Sequence, residues 1–225
     1  MCPRTREKFE EIRENKRRQI LNAAVECFAT TGYHAVSISD LAKHAGISKG
    51  LMYNYFSSKD ELLKAIFNEI MAEMMQLFDP HQSGELDRKV LLNYFNRLFR
   101  HMKFNLMLWK MYMAIFSQPA VQLILSNEIL AASRKPLEIV EHYFKKQGYR
   151  KPGLEVAFLS TLISGVTYEY LADPENYPLD QIKNKIINIY KLDVDLPREA
   201  VSKKDFDHEG TRSSSRRITK DLDIR

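Results

Sequence analysis

Apolar side chains recur every three to four residues along most of the chain, which is the spacing of amphipathic α-helices. No segment shows the strict alternation of apolar and polar residues that predicts a half-buried strand. The chain is therefore predicted to be all-α, with about nine helices. The clearest helical stripes occupy residues 20–28, 62–77, 90–99, 127–146 and 179–192.

Glycine and proline residues predict where several of these helices end. Gly32 follows the first stripe, and the long helix that begins at Ser58 is expected to stop near Pro80. Pro119 breaks a further helix that is unusually rich in methionine and aromatic residues. These breaks divide the chain into helices of ordinary globular length.

Between the first helix and the long helix, the sequence predicts two short helices joined by a glycine turn. Ser37 and Asp40 have the spacing of a capping box at a helix start, although Asp is a weaker partner than Glu. Gly46 is free to take the positive φ that a tight turn needs. Ser58 and Glu61 form a second capping box at the start of the long helix. This order of elements predicts a helix-turn-helix, whose second helix enters the major groove of DNA.

The second short helix, from Lys49 onward, has few apolar positions and little charge. Such a helix is poor core material, which favours a role in reading DNA. The net charge of +5 is compatible with nucleic acid but does not prove it. The basic residues 16–18 are predicted to lie at the start of the first helix, where they favour phosphate contacts. The alternative is an ordinary solvated helix end.

The helix predicted for FLSTLISGVTYEYLA is apolar almost all round and includes the small residues Ser160, Thr161, Ser164 and Gly165. A helix of this kind must be buried on more than one side, and small residues allow a second helix to approach closely. We therefore expect it to pack against a large surface, such as a second copy of the chain. The alternative is a central core helix within a monomer.

The chain is predicted to have two domains and a tail. Residues 1–62 form an N-terminal three-helix bundle with the helix-turn-helix, and residues 63–192 form a larger C-terminal bundle. Residues 193–225 lose the helical periodicity and contain many charges of both signs, so they are predicted to be disordered. With 44% apolar residues, the chain has enough apolar material for one large or two small cores.

Several other kinds of protein are disfavoured. The start MCPRTREKF is not a signal peptide, and charged residues interrupt every run long enough to span a membrane, so a cytoplasmic protein is expected. Cys2 and Cys27 give no disulfide framework, and the six histidines have no metal-ligand spacing. No nucleophile or phosphate-binding motif is present, so neither an enzyme nor a bound metal or cofactor is predicted.

The segment GYHAVSISDLAKHAGISKGLMYNYFSSKDELL resembles the DNA-binding signature of TetR-type (tetracycline-repressor-like) transcriptional regulators. The resemblance covers roughly residues 16–66 and includes the Ala-Gly turn, the Ser-Lys-Gly start of the second helix and its Tyr-x-Tyr-Phe close. The remainder resembles the family only in the number and lengths of its helices. The resemblance implies an all-helical homodimer, a ligand pocket in each C-terminal bundle, and a roughly palindromic operator in double-stranded DNA.

Ten residues are predicted to contact DNA. Lys49 is placed to reach guanine O6 and N7 or a phosphate, and the resemblance implies a phosphate contact for Tyr53. Lys59 lies at a helix N-terminus, where the helix dipole disfavours a cation unless an anion such as phosphate is present. The ten residues are Ser37, His44, Ser48, Lys49, Gly50, Leu51, Tyr53, Asn54, Tyr55 and Lys59.

Several of these positions have alternative explanations. Gly50 costs about 1 kcal/mol inside a helix, and either close approach to DNA or packing against the preceding helix explains it. Tyr55 is expected to help close the small core, although its hydroxyl can also face outward. The family usually has a small hydroxyl residue at the position of Leu51, and often an aromatic residue or His at that of Asn54. The operator sequence therefore cannot be transferred from the family.

The stretch rich in methionine and aromatic residues is the best candidate for a ligand pocket, because methionine adapts to irregular shapes and aromatic rings form flat apolar walls. The alternative is an ordinary core. Few ionisable residues lie in this stretch, so a small apolar or aromatic effector is favoured over a highly charged one. The predicted lining is Phe104, Met107, Leu108, Trp109, Met111, Tyr112, Phe116, Phe158, Thr161 and Tyr168.

These expectations together describe a ligand-responsive repressor that binds a palindromic operator as a homodimer and is released by its effector. A constitutive DNA-binding protein without an effector is one alternative, and a helical enzyme or binding module with an incidental helix-turn-helix is another. The sequence does not distinguish a repressor from an activator, and it identifies neither the effector nor the operator.

Overall fold

A computed structural model of the chain describes residues 6–78 and 86–192, and every regular element in these ranges is an α-helix. The predicted all-α fold class is confirmed. The ten helices of the described ranges are α1 (Arg6–Thr30), α2 (Ile38–His44), α3 (Lys49–Tyr53), α4 (Lys59–Phe78), α5 (Arg88–Phe104), α6 (Leu106–Phe116), α7 (Pro119–Ile124), α8 (Ser126–Lys146), α9 (Pro152–Ala172) and α10 (Leu179–Ile189). Pro80, Cys2 and the predicted tail over 193–225 lie outside the described residues.

The helix that the pattern missed is α7. Pro119 separates it from α6, as predicted, but also occupies its first turn. Proline is accepted there because the N–H it lacks would have no partner within the helix. The prediction treated proline only as a breaker and therefore undercounted the helices by one.

The first helix is longer than predicted. It begins at Arg6, so the basic residues 16–18 lie within it and not at its start. Neither glycine nor proline interrupts residues 6–30, and most of the first turns are Glu, Lys and Arg, which are good helix formers. The helix ends as predicted, with Gly32 at a φ of 91° shortly after its last turn.

The buried side chains form two clusters. The first, which we call the head cluster, is centred on α1, where Ile20, Ala24 and Phe28 are each 0% exposed. Burying a side chain the size of Phe28 stabilises a fold by about 2–3 kcal/mol. Its other fully or almost fully buried members include Leu41, Met52, Leu62, Leu63, Ile66, Ile115, Val121 and Leu125.

The head cluster includes side chains that are distant in sequence from the helix-turn-helix. Ile115 of α6, Val121 of α7 and Leu125 are each 0% exposed within it. The end of α6 and one face of α7 therefore pack on the DNA-binding part of the chain. The predicted division into domains at residues 62/63 stays a prediction.

The second cluster, which we call the bundle cluster, joins α5 to α8, α9 and α10. Its largest fully buried members are Phe95, Phe99 and Phe144. Ring contacts such as that of Phe144 with Tyr190, whose ring centres are 5.3 Å apart, hold the centre of the cluster together. Helix α4 contributes Phe78 to this cluster and Leu62, Leu63 and Ile66 to the head cluster. Helix α4 thus connects the two cores.

Helix α9 is buried on one side only. Val156, Leu159 and Val166 face the bundle cluster, whereas Phe158 and Tyr168 are 48% and 63% exposed. A central core helix of a monomer would not leave such side chains in water. Within the single chain, the alternative of a central core helix is therefore wrong for α9.

Candidate DNA-binding site

The start of α2 is capped as predicted. The Ser37 hydroxyl accepts a hydrogen bond from the Asp40 N–H at 3.2 Å, and the Asp40 carboxylate accepts from the Ser37 N–H at 3.0 Å and from its hydroxyl at 2.6 Å. These bonds to Ser37, the hydroxyl first and the N–H second, lower the pKa of Asp40. The capping box therefore uses the charged form of this carboxyl.

The turn between α2 and α3 is fixed by glycine and by a bond from α1. Gly46 has a φ of 63°, the left-handed value that the sequence predicted. The Gln19 side chain donates from Nε2 to the Ala45 carbonyl oxygen at 2.8 Å, which ties the end of α2 to α1. This polar tie joins residues 26 positions apart, and the local pattern did not predict it.

Helix α3 is held by one side chain and exposes most of the others. Met52 is 0% exposed in the head cluster, whereas Lys49, Gly50 and Tyr53 are exposed. The Ser48 hydroxyl caps the helix by accepting from the Leu51 N–H at 3.1 Å. No acidic residue lies in its sequence KGLMY, so the exposed face of α3 bears only positive charge. That arrangement suits a helix that approaches phosphates and base edges.

The exposed face continues past the end of α3 and then returns to the core. Asn54, the C-cap residue, is exposed, and Leu51 is half-buried. Tyr55 packs against the head cluster and Phe56 is buried in it, in agreement with the expectation that these rings close the small core. Direct contacts of any of these residues with DNA stay predictions.

Lys59 has an internal use that the sequence did not indicate. Its Nζ donates to the carbonyl oxygens of Tyr33 and Val36 at 2.7 Å and 2.9 Å, and lies 4.4 Å from the centre of the Tyr33 ring. These acceptors offset the unfavourable position of a lysine at the N-terminus of α4. A phosphate contact for Lys59 stays a prediction, but it is not needed to explain the residue.

The second capping box differs in detail from the prediction. The Ser58 hydroxyl accepts from the Glu61 N–H at 3.0 Å, as expected. The Glu61 carboxylate, however, accepts from the hydroxyl and N–H of Ser57, both at 2.6 Å, and not from Ser58. These bonds, the hydroxyl first, lower the pKa of Glu61. Both serines therefore take part in starting α4.

The basic residues 16–18 of α1 differ in their contacts: Arg17 contacts other parts of the chain, whereas Arg18 lies at the surface. Arg17 forms an ion pair with Glu69 of α4 and places its guanidinium 5.8 Å from the centre of the Phe56 ring. Arg18 lines an open cleft between α1 and α2 together with His44, whose Nε2 lies 2.8 Å from the Glu26 carboxylate. Of the three basic residues, Arg18 is exposed, while Lys16 and Arg17 are half-buried.

The ten predicted pocket residues separate into two groups. Trp109 and Met111 are half-buried, as are Leu108, Tyr112 and Phe116, and four of these five pack against the two clusters. The other five are exposed, with Phe104 at 81% and Met107 at 66%. The exposed group is Phe104, Met107, Phe158, Thr161 and Tyr168. Within one chain these five side chains meet water, and their role in a pocket stays a prediction.

A series of hydrogen bonds links α6 to α5 and α4. The Trp109 Nε1–H donates to His101 Nδ1 at 3.0 Å, and His101 Nε2 lies 2.9 Å from the Glu73 carboxylate. Since Nδ1 accepts in this assignment, Nε2 carries the proton and donates to Glu73. Burial, with the nearby charges of Glu73 and Glu69, raises the pKa of Tyr112 to about 12. Helices α4, α5 and α6 are thus joined by polar as well as apolar contacts.

The described residues contain neither a membrane-spanning helix nor a metal-binding cluster. No helix among them is both long and apolar enough to cross a membrane. No three His, Cys, Asp or Glu side chains in residues 6–78 and 86–192 lie together in a way that suits a metal ion.

A short exposed helix, capped and anchored after a glycine turn on an all-helical bundle, defines a helix-turn-helix regulator. Known proteins agree with this class. The family model described as "Bacterial regulatory proteins, tetR family" matches residues 20–66. Over these residues the chain is similar to the TetR family of transcriptional regulators, and the resemblance predicted from the sequence is confirmed. Its relatives are transcriptional regulators and not enzymes.

Two relatives illustrate how far the sequence similarity extends. The chain is 28% identical over 185 residues to the fatty acid metabolism regulator protein of Bacillus subtilis (strain 168), covering 76% of this chain and 91% of that protein. It is 46% identical over 54 residues to the transcriptional activator FasR of Mycolicibacterium smegmatis, covering 24% of this chain and 25% of FasR.

Solved structures support the fold over a longer range. The fatty acid degradation regulator FadR from Bacillus halodurans aligns with a TM-score of 0.62 at 22% identity, covering 77% of this chain and 93% of that chain. FadR from Bacillus subtilis in complex with stearoyl-CoA aligns with a TM-score of 0.59 at 22% identity, covering 76% and 95% respectively. At this level of identity the likeness shows the fold alone.

Proposed function

We propose that the protein is a repressor that binds a roughly palindromic operator as a homodimer and is released by a small apolar effector. The observation that carries this proposal is the exposed face of α3, which is anchored by Met52 alone among its five residues. A helix this short contributes little to a core, so its Ser48 cap and its exposed Lys49 are best explained by DNA binding. Since its target is DNA, we place its action in the cytoplasm.

The structure offers a reason for Gly50 that favours this proposal. A Cβ atom built on Gly50 would meet no heavy atom within 4 Å. Packing against the preceding helix therefore does not require glycine at this position, and of the two explanations, close approach to DNA is left. Lys49, Tyr53 and Asn54, which are exposed around it, are the residues that we expect to reach bases and phosphates.

The proposed dimer interface is the exposed face of α9 together with the adjoining part of α10. Leu154, Phe158 and Tyr168 are 61%, 48% and 63% exposed, and Ile189 of α10 is 49% exposed. Gly165 on the same helix has no heavy atom within 4 Å of a built Cβ, which leaves space for another helix. A monomer that exposed this many large apolar side chains on one helix would tend to associate.

The proposed effector site lies around α6, whose half-buried Trp109, Met111 and Tyr112 remain from the predicted lining. The relative from Bacillus subtilis is named a fatty acid metabolism regulator, and a solved FadR structure contains stearoyl-CoA. A long-chain acyl thioester is therefore the first effector to test, since its acyl chain has the apolar character that these side chains favour. Its coenzyme A part is large and highly charged, so in that part it departs from the small apolar effector that the sequence favours.

A second candidate function is a constitutive DNA-binding protein without an effector. The packing of α6 against the two clusters favours it, since that is also how an ordinary core helix packs. Whether the effector weakens or tightens DNA binding tests the sign of regulation, because FasR is named an activator. We keep the repressor as the proposal because release by an effector requires only that the effector prefer a state with poorer DNA geometry.

The experiment that tests the proposal is selection of bound fragments from a pool of random duplex DNA, followed by sequencing. The expected result is a palindromic site whose half-sites lie about one helical turn apart, roughly 34–36 Å. Enrichment of no sequence, or binding that disappears at physiological salt, would leave only attraction to phosphates and would overturn the proposal.

A further inference from the structure

The loop that connects α1 to α2 is held at one residue, Tyr33, by two different parts of the chain. From α4, the Lys59 Nζ donates to the Tyr33 carbonyl oxygen at 2.7 Å, and the Tyr33 hydroxyl hydrogen bonds to Asp60. The Tyr33 ring also contacts Phe28 at the end of α1, with ring centres 5.1 Å apart. Only 3% of Tyr33 is exposed.

The second hold on this loop comes from Gln118, between α6 and α7. Its Oε1 accepts from the Tyr33 N–H at 2.7 Å, and its Nε2 donates to the Phe28 carbonyl oxygen at 3.1 Å. The same Nε2 donates to the Ala114 carbonyl oxygen at 2.9 Å, which fixes the side chain to the last turn of α6. One amide group therefore joins the end of α6 to the end of α1 and to the loop before α2.

The surrounding apolar contacts make this connection stiff. Ile115 and Val121, on either side of Gln118, are each 0% exposed in the head cluster. A Cβ built on Gly32 would lie 3.7 Å from the Gln118 Oε1 atom, so this amide group lies directly beside the turn that follows α1. A change in the direction of α6 would therefore pull on the loop that leads directly into the helix-turn-helix.

We propose that Gln118 is a positioning residue that sets the orientation of the helix-turn-helix relative to the C-terminal bundle. It thereby determines which half-site spacing the dimer accepts, although it touches no DNA. This inference rests on the proposed function, because a defined spacing exists only for a dimer that binds two half-sites. Removing the hydrogen bonds of Gln118 frees the head to rotate and makes the spacing less restrictive.

The experiment compares two operators, the selected palindrome and the same palindrome with one base pair inserted between its half-sites. The insertion separates the half-sites by about 3.4 Å and turns one relative to the other by about 34°. The variants are Gln118→Ala and Gln118→Met, the second of which keeps the side-chain volume without its hydrogen bonds. The control is Gln122→Ala, because the Gln122 side chain donates only locally, to the Phe116 carbonyl oxygen at 3.0 Å.

The wild type and Gln122→Ala are expected to prefer the selected spacing by about tenfold or more, and both Gln118 variants by about threefold or less. Amide hydrogen exchange at Tyr33 should be faster in the Gln118 variants alone, since their loop loses its acceptor. A purely structural role would lower Tm and leave the spacing preference intact.

The outcomes separate this inference from the proposed function. If the wild type binds no palindrome, or binds both spacings equally, the proposed dimeric regulator fails. If the wild type prefers the selected spacing and folded Gln118→Met shows the same preference, the role of Gln118 is overturned while the proposed function stands. If Gln118→Ala does not fold, the spacing preference of Gln118→Met alone tests the role of Gln118.

Discussion

Single residues at the DNA-binding face show that a position's chemistry and its surroundings have to be considered together. Lys49 and Lys59 are both lysines at the start of a helix, and both are predicted to bind phosphate. Lys49 is exposed, whereas the Nζ of Lys59 already donates to two carbonyl oxygens of the α1–α2 loop. We therefore expect the two lysines to respond differently to substitution.

Lys49→Ala should weaken operator binding by about 1–3 kcal/mol if Lys49 contacts a guanine, with an unchanged Tm, because an exposed side chain contributes little to folding. Lys135→Ala, a change of an exposed lysine on α8, is the control and should bind as the wild type does. Fluorescence anisotropy with the selected operator measures both. Equal binding by Lys49→Ala and the wild type would remove Lys49 from the site.

Ser37→Ala should destabilise the protein by about 1 kcal/mol at neutral pH, because it removes the cap of α2. It should also raise the pKa of Asp40, which loses the hydroxyl bond that lowers it. A lowered carboxyl pKa stabilises the folded state above the unfolded value, near pH 4, and this stabilisation is lost as the pH falls through the folded value. The difference in the free energy of unfolding between Ser37→Ala and the wild type should therefore become smaller in acid.

Urea unfolding at neutral pH and near pH 3 measures this difference. The matched control is Ser39→Ala, which changes an exposed serine inside the same helix. A loss of stability in Ser37→Ala that is the same at both pH values would show that the Asp40 carboxylate contributes nothing to the cap. The predicted caps of α2 and α4, on either side of α3, are otherwise the part of the site that the local sequence describes best.

At the scale of helices, α9 and α6 show where periodicity is insufficient. The sequence of α9 is apolar on nearly all sides, so it indicates burial without specifying by which partner. The structure divides the helix into a face that packs in the bundle cluster and a face that exposes Phe158 and Tyr168. For α6, it separates half-buried Trp109 from exposed Met107, although the two positions are only two residues apart.

Phe158→Glu together with Tyr168→Glu should convert the dimer into monomers, because two charges would have to be buried without partners in the proposed interface. Sedimentation equilibrium measures the association, and binding to the palindromic operator should weaken with it. Phe104→Glu is the control, since Phe104 is 81% exposed on α5 and lies outside the proposed interface. A dimer that survives both charges would show that α9 does not form the interface.

The prediction of the helices and of the helix-turn-helix succeeded for physical reasons that act over a few residues. Capping by Ser37 and Ser48 and the positive φ of Gly46 depend on neighbours three or four positions away. The hold of Gln118 on Tyr33 joins positions 85 residues apart, and no local pattern signals it. Helix α7 was missed for a different, local reason: Pro119 was considered only as the end of α6 and not as the first residue of a new helix.

At the scale of the whole molecule, an effector at α6 can influence DNA binding because α6 contacts both the bundle and the head. Trp109 hydrogen bonds to His101 of α5, and His101 in turn pairs with Glu73 of α4. The other end of α6 reaches the head cluster through Ile115. An effector that prefers one position of α6 would shift the populations of head orientations.

Stearoyl-CoA should therefore weaken operator binding by about 5- to 150-fold, and operator DNA should weaken stearoyl-CoA binding by the same factor. Trp109 is the only tryptophan of the chain, so its fluorescence reports directly on α6. Free coenzyme A is the control for contacts of the head group alone. No response of fluorescence or DNA binding would favour the constitutive DNA-binding protein or a different effector, whereas tighter DNA binding would favour an activated regulator.

The sequence by itself determined the helical class, the helix-turn-helix with its caps and turn, and the resemblance of that segment to the TetR family, because each depends on spacings within a few residues. Only the tertiary structure decided which faces of α9 and α6 are exposed, that Lys59 is bonded inside the head, and that Gln118 joins the end of α6 to the loop before α2. Those features depend on which distant segments pack together, and many pairings of amphipathic helices satisfy the same periodicity.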